Sequence, residues 1–306
     1  MKLFTATYIF YFFLLLFLNS CVFGQSEEEV SELKFIKILN TENQTSAPEG
    51  ERFDLSGIVE AQNSVWVIAD KPWNNNIYKS TISDHNISFS DGISFFVDFK
   101  IDIEGIDFCD SSFFVINEAN NMVYEIKSNN DTAKLILIDW NLTNYPANSD
   151  PNAGLEGIAI DSENKVIYLA KERDPSMLFK LNLKDRNIEQ VFVNQINNNE
   201  SISDMKYENG FLYLLERESS TILRINTQTQ EILRVSIKNT LNPNGLQLYT
   251  SENPEYGIAE ALLLKENEIW IGIDNNGTQT NSEGINLGIK ETTNPAIIIF
   301  ERPEWF

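Results

Sequence analysis

Acidic side chains recur at two fixed places along this 306-residue sequence. One is the opening of a short apolar segment, occupied in successive copies by Ser56, Glu104, Glu156, Asp204 and Glu260. The other is the close of the apolar segment that follows, occupied by Asp70, Glu118, Glu172, Glu216-Arg217 and Asp274. The two places are 14, 14, 16, 12 and 14 residues apart. All are even numbers, as expected if both keep one facing in extended chain. In the fourth copy, counting from Tyr213 puts Arg217 in register instead of Glu216. Carboxylates that converge repel one another, so such a group must hold protons, an arginine or a metal ion. Hard oxygen ligands in an irregular array suit Ca²⁺, which takes roughly 6–8 oxygens. The other use for acids at these positions is to cap backbone N–H groups at strand ends.

Positioning these acids requires a repeated element, and one recurs at intervals of about 50 residues. Its copies open at Asp54-Leu55-Ser56-Gly57-Ile58, Asp102-Ile103-Glu104-Gly105-Ile106, Gly154-Leu155-Glu156-Gly157-Ile158, Ser201-Ile202-Ser203-Asp204-Met205 and Gly257-Ile258-Ala259-Glu260-Ala261. A second apolar run follows each opening, at 65–68, 113–116, 167–170, 211–215 and 269–273. Third runs lie at 77–79, 122–126, 177–181, 222–225 and 296–300, and fourth runs at 95–99, 135–140, 190–193 and 232–237. Four short strands per unit, repeated radially, predict an all-β propeller. The expectation is five four-stranded blades, with six as the alternative if a divergent copy is hidden. The fifth copy lacks a fourth run, and residues 33–39 (Leu33 to Leu39) are the N-terminal strand that would close the ring. Trp66, Phe114, Tyr168, Tyr213 and Trp270 share one repeat position and read as packing between blades, not as a ligand cage.

In such a meander the first strand lines the central channel, so the acids gather at one mouth. The long loops 141–153, 238–256 and 275–294 fall on the same face and would wall a pocket there.

Several chemistries are excluded or disfavoured. A formal net charge of −22 rules against nucleic acid, whose phosphates need a basic face. The single histidine, His85, sits in a polar stretch between strands and there is no Gly-x-Ser-x-Gly elbow, so a serine triad is unsupported. Zinc is disfavoured by the same shortage of His and Cys. Phosphate-loop and dinucleotide fingerprints are absent. Cys109 lies among Ile106, Phe108 and Phe113 and reads as a small buried hydrophobe. An enzyme built on this chain would rely on carboxylates, Arg173, Arg217 and a metal.

The N-terminus reads as an export signal: Lys2, an apolar stretch over 3–18, then the acidic residues Glu27, Glu28 and Glu29. Leu18-Asn19-Ser20-Cys21 resembles the lipobox of bacterial lipoproteins, which implies cleavage before Cys21 and its lipidation. Cleavage after Gly24 is the rival. The organisation expected is a signal peptide over 1–20, an acidic tether over 21–32 and one propeller domain over 33–306. The lipoprotein reading places the protein at the outer membrane or cell surface, touching the membrane only through its lipid. Cleavage at Gly24 would leave it periplasmic or secreted. A monomer is expected, with a divalent cation and a small-molecule or protein ligand as partners.

The repeat resembles the SdiA-regulated family of calcium-binding five-bladed propellers, and also the related family named for the esterase-like activity of phytase. The resemblance spans roughly residues 50–300. It is carried by Ser56-Gly57, Glu104-Gly105-Ile106 and Glu156-Gly157-Ile158, and by Ala69-Asp70, Asn117-Glu118, Lys171-Glu172-Arg173-Asp174-Pro175, Leu215-Glu216-Arg217 and Ile273-Asp274-Asn275-Asn276. Leu215-Glu216-Arg217 and Asp274-Asn275-Asn276 are closer to the phytase-like family. Ser203-Asp204-Met205 and Glu260-Ala261 depart from the Glu-Gly pattern. The resemblance implies calcium in the channel. Two functions follow as expectations: a calcium-stabilised binding module, favoured by the scarcity of basic residues beside the acids, or a metal-dependent phosphoester or ester hydrolase.

Overall fold

Each apolar opening forms a strand because its residues alternate around a tight turn that the following run can pair across. In the computed structural model, which describes residues 31–44, 51–128, 132–146, 150, 152–237, 248, 259–274, 277–290 and 294–306, these turns use left-handed backbone. Gln62 and Asn63 (φ 52° and 58°), Asp110 and Ser111 (49° and 68°), and Asn209 and Gly210 (51° and 87°) have the paired positive φ that hairpin turns demand. The export signal, Cys21, Gly24 and nearly all of the tether lie outside the described residues, as does most of loop 238–256.

The N-terminal strands are β1 (Ser31–Glu32) and β2 (Lys34–Gln44). The first meander is β3 (Leu55–Ala61), β4 (Ser64–Ala69), β5 (Asn76–Ser83) and β6 (Asn86–Ser94). The second is β7 (Ile103–Cys109), β8 (Ser112–Asn117), β9 (Met122–Lys127) and β10 (Ala133–Ile136), and the third β11 (Leu155–Asp161), β12 (Val166–Lys171), β13 (Met177–Asn182) and β14 (Ile188–Val191). The fourth is β15 (Ile202–Glu208), β16 (Phe211–Glu216), β17 (Thr221–Asn226) and β18 (Ile232–Ser236). Then come β19 (Ala259–Leu264), β20 (Glu268–Ile273), the short helix α1 (Ser282–Leu287) and β21 (Ala296–Glu301).

The fold is all-β and propeller-like. Residues Ser31–Phe306 form one compact unit. The first strands contact one another in the order β3, β7, β11, β15, β19, and β19 returns to β3. β2 pairs antiparallel with β21, the position expected of the N-terminal strand, so the last meander receives its outer strand from the start of the chain. β2 also runs parallel to β6, which joins the last and first meanders into an eight-stranded sheet. β1 runs parallel to β18 at the edge of the fourth.

One strand assignment is corrected. The outer strand of the first meander is β6, not residues 95–99, because Ile87 and Phe89 supply its buried face between polar residues that hide it from a search for apolar runs. Phe95 is buried beyond its end and Phe96 makes only an isolated bridge to Thr132. The five aromatic residues do share one register position, opposite Val59, Asp107, Ala159, Lys206 and Leu263, and all are buried. Trp66, for example, packs against Phe113 of the next meander. Cys109 is only partly buried, and its thiol is pushed up to about 11 by burial and by Asp110.

Candidate functional site

The acids are placed by a bulge repeated in every first strand. Pairing with the second strand skips one residue between Leu55 and Gly57, Ile103 and Gly105, Leu155 and Gly157, Ile202 and Asp204, and Ala259 and Ala261. A bulged residue is left out of the ladder and re-aimed. The residues so presented are Ser56, Glu104, Glu156, Ser203 and Glu260. The neighbouring position is Gly in three copies because it is crowded: a Cβ on Gly105 would meet the Glu156 carbonyl oxygen at 2.2 Å. Across the hairpin, the backbone N–H groups of Asp70, Glu118, Glu172 and Arg217 donate to the carbonyls of Asp54, Asp102, Gly154 and Ser201, which fixes these four as equivalent.

One expectation is thereby corrected and one open alternative is decided. Asp204 does not join the other acids, because Ser203 takes the bulge and a one-residue step reverses facing. Asp204 is instead buried against Lys206, whose Nζ lies 2.9 Å from its Oδ1. Glu216 also faces away from the cavity, accepting from Thr221 (2.6 Å) and Arg234 (3.2 Å), so Arg217 is the residue in register.

A cavity of about 350 Å³ opens at this end of the first strands. Asp70, Glu104, Glu118, Glu156, Glu172, Glu260 and Asp274, all anticipated, line it together. Asp54, Asp102, Asn152, Arg173 and Arg217 complete the polar wall. Asp54 and Asp102 open two of the repeat copies, and their shared place one residue before the apolar frame is the signal by which they could have been found. Of the three long loops, only Asn152 reaches the cavity among the described residues. His85 is exposed in the turn between β5 and β6.

The carboxylates gather in two triads, Asp70–Asp102–Glu104 and Glu118–Glu156–Glu172, each with oxygens within 4.8 Å of one another. Their charge is met unevenly. Glu172 accepts from Arg217, Arg173 and the Ser201 hydroxyl, and Arg217 Nη1 also donates to Glu260 Oε1 at 2.5 Å. Glu118 accepts from the Gly154 N–H at 2.7 Å. Lys71 lies 3.6 Å from Asp70 and 2.5 Å from Asp54, and Lys100 lies 3.1 Å from Asp102. Glu156 is 9% exposed, points into the cavity and makes no hydrogen bond or ion pair with the described residues.

Burial is the largest cause of the shifts that result, and neighbouring acids add to it. Glu118 is pushed up to about 7, and Asp70 up to about 6 despite Lys71. Glu104 and Glu156 lie well above the ordinary carboxyl range, Glu104 through burial, Asp70 and Glu156, and Glu156 through burial that Arg217 only partly offsets. Glu260 is raised by burial against the pull of Arg217. Burial opposes the Arg217 charge, but Glu260 and Glu156 outweigh it and hold its pKa above the usual value.

A family model described as SdiA-regulated matches residues 94–257, more than half of the 306 residues. No curated protein matches the sequence. Among solved structures, the Myxococcus xanthus glutaminyl cyclase superposes with a TM-score of 0.50 at 9% identity, over 89% of this chain and 100% of that one. That likeness concerns the fold alone. The extracellular domain of a putative hybrid two component system from B. thetaiotaomicron gives 0.44 at 14% identity over 84% of this chain, which spans only 28% of that chain. A nidogen/laminin complex gives 0.46 at 12% identity, over 79% of this chain and 80% of the other.

Proposed function

The chain belongs to the SdiA-regulated family, and from that premise we propose that it is an exported, five-bladed propeller that binds a calcium ion in its acidic cavity and serves as a binding or scaffold module of the cell envelope. The observation that carries the cation reading is Glu156. A carboxylate nine-tenths buried, without a partner, and facing other carboxylates is costly unless it is protonated or meets a cation. The donor set fits a hard ion: among the described residues the cavity offers carboxylate oxygens and no thiol or imidazole. Asp70, Asp102, Glu104, Glu118 and Glu156 would hold it, and calcium tolerates the irregular spacing that magnesium does not. The closed succession of first strands, with β2 completing the last sheet, supports the blade number.

A binding role fits the cavity better than hydrolysis. Arg173 and Arg217, the cationic groups of its wall, are engaged by Glu172 and Glu260 and leave a phosphate little to meet. The Ser56 and Ser203 hydroxyls donate to the carbonyls of Ile103 and Ala259, so neither stands ready as a nucleophile.

Calorimetric titration of chelator-treated protein with Ca²⁺ and Mg²⁺ tests the cation reading. Saturable calcium binding with weaker magnesium binding is expected. Indifference to both ions would leave the acids as protonated strand-end groups. For export, we propose Cys21 as the lipidated first residue. Mass spectrometry of the native protein should find acylated Cys21, or a Gln25 terminus if Gly24 is the cut, and an intact Met1 terminus would refute export.

A further inference from the structure

Arg217 stands where the other four hairpins carry Asp70, Glu118, Glu172 and Asp274. The repeat has thus placed a guanidinium at a carboxylate position, and the contacts show what it meets. Nη1 reaches Glu260 at 2.5 Å, and Nη2 reaches Glu172 and the Ser201 hydroxyl, the latter at 2.9 Å. Arg217 is itself 9% exposed, and its Nε has no hydrogen-bond partner among the described residues. A buried donor left unmatched is unfavourable, so the guanidinium is held through its terminal nitrogens, by its two carboxylates and the Ser201 hydroxyl. The second oxygen of Glu172 is taken by Arg173. Across the cavity, Asp70, Asp102, Glu104, Glu118 and Glu156 accept no hydrogen bond from an arginine among the described residues, although the Arg217 charge is felt at Glu156. Among the described residues their ion pairs are with Lys71, which is shared between Asp54 and Asp70, and with Lys100 at Asp102.

We infer that Arg217 is a resident cation that fills one of two cation seats in this cavity, between Glu172 and Glu260, and so limits the protein to a single exchangeable divalent ion on the Glu104–Glu156 side. The inference rests on the calcium reading above and adds to it where the ion goes and what excludes a second. Guanidinium and metal are alternatives at the same carboxylates because each satisfies their charge and their lone pairs at once. The tether makes the guanidinium the stronger competitor, since it is held beside the acids and cannot diffuse away.

Isothermal titration and terbium luminescence on the mature full chain test this with wild type, Arg217→Met, Glu156→Gln and Glu260→Gln. Wild type should take one equivalent of calcium and Arg217→Met two. With Arg217 in place, Glu156→Gln should weaken calcium binding by about tenfold or more, while Glu260→Gln, on the arginine side, should leave the Kd nearly unchanged. These two glutamine variants decide the matter even if Arg217→Met does not fold. A wild type that binds no calcium overturns the calcium reading and this inference with it. A wild type that binds one equivalent, with Arg217→Met also binding one, or with the Glu156 and Glu260 variants weakened alike, overturns this inference alone.

Discussion

Two groups of acids lie on the first strands, with Glu104 and Asp107 three residues apart on β7, and they treat their charge in opposite ways. At the mouth, Glu104 and Glu156 face the cavity without hydrogen-bond partners among the described residues. Deeper, Asp107 and Asp204 are fully engaged. Asp107 accepts from the N–H groups of Phe108 (2.8 Å) and of Ile160 in the next meander (2.7 Å). Asp204 accepts from Met205 and from Leu262 in its own next neighbour, both at 2.7 Å. Lys206 bonds both oxygens of Asp204 and the carbonyl of Ile106, two meanders away, so its stem crosses the space between the first strands. The deeper group is a completed network that ties first strands together, whereas the mouth is an incomplete one. Charge density alone does not distinguish a binding site from a structural plug; the state of the lone pairs does.

The largest effect should come from breaking the plug. Lys206→Met leaves Asp107 and Asp204 buried without their counter-charge and should cost about 3–5 kcal/mol. Urea unfolding would read this, and added calcium should not restore it. If calcium did restore it, the two groups would be one site and the comparison would fail.

The mouth should respond in the opposite sense. Calcium at about 100 times its Kd should stabilise wild type by about 2.7 kcal/mol. Glu156→Gln should lose about half or more of that response and, without metal, should melt above wild type, because a neutral amide replaces a carboxyl that burial disfavours in its charged form. A variant that melts lower without metal and still responds to calcium would place Glu156 among the structural acids.

A smaller effect is expected from pH. Glu118 titrates near 7 and Asp70, Asp107 and Asp204 near 6 in the fold, raised chiefly by burial. Unfolded carboxyls titrate at about 4. A folded pKa above the unfolded one means the native state holds more protons in between, so the stabilisation is complete below about pH 4 and lost as pH rises through about 7. Chelated protein should therefore melt lower at pH 7.5 than at pH 5, and calcium should shrink that difference by removing the contribution of the mouth. Differential scanning calorimetry at the two pH values checks both statements. A melting temperature that rises with pH would overturn the assignment of raised pKa values.

The smallest effect is expected at His85. The His85→Ala substitution touches neither group and should change stability by no more than about 0.5 kcal/mol.

Much of this was legible in the sequence, and the misses have two origins. The apolar frame Leu55–Ile58, Ile103–Ile106 and Leu155–Ile158 announced the first strands, and the carboxylates at Glu104, Glu156, Glu260, Asp70, Glu118, Glu172 and Asp274 do share a cavity. In the fourth copy the acid sits one residue late. Aligning the apolar residues Ile202 and Met205 with Leu155 and Ile158 would have put Ser203, not Asp204, beside Glu156. β6 was missed because its inward residues are separated by polar ones, and a strand half covered by neighbours needs only alternate apolar residues.

By itself the sequence determined the repeat, the all-β class, the strand order and which positions carry acid, because hydrophobic periodicity and turn residues act over a few neighbours along the chain. It could not determine which acids remain unsatisfied. That Asp107 and Asp204 find N–H groups in the next meander, that Lys206 reaches Ile106 across the fold, and that Glu172 and Glu260 close on Arg217 while Glu156 closes on nothing are contacts between residues remote in sequence. Only the assembled sheets bring those partners within hydrogen-bonding distance, and in a low-dielectric interior that distance decides whether a carboxylate is a strut or a ligand.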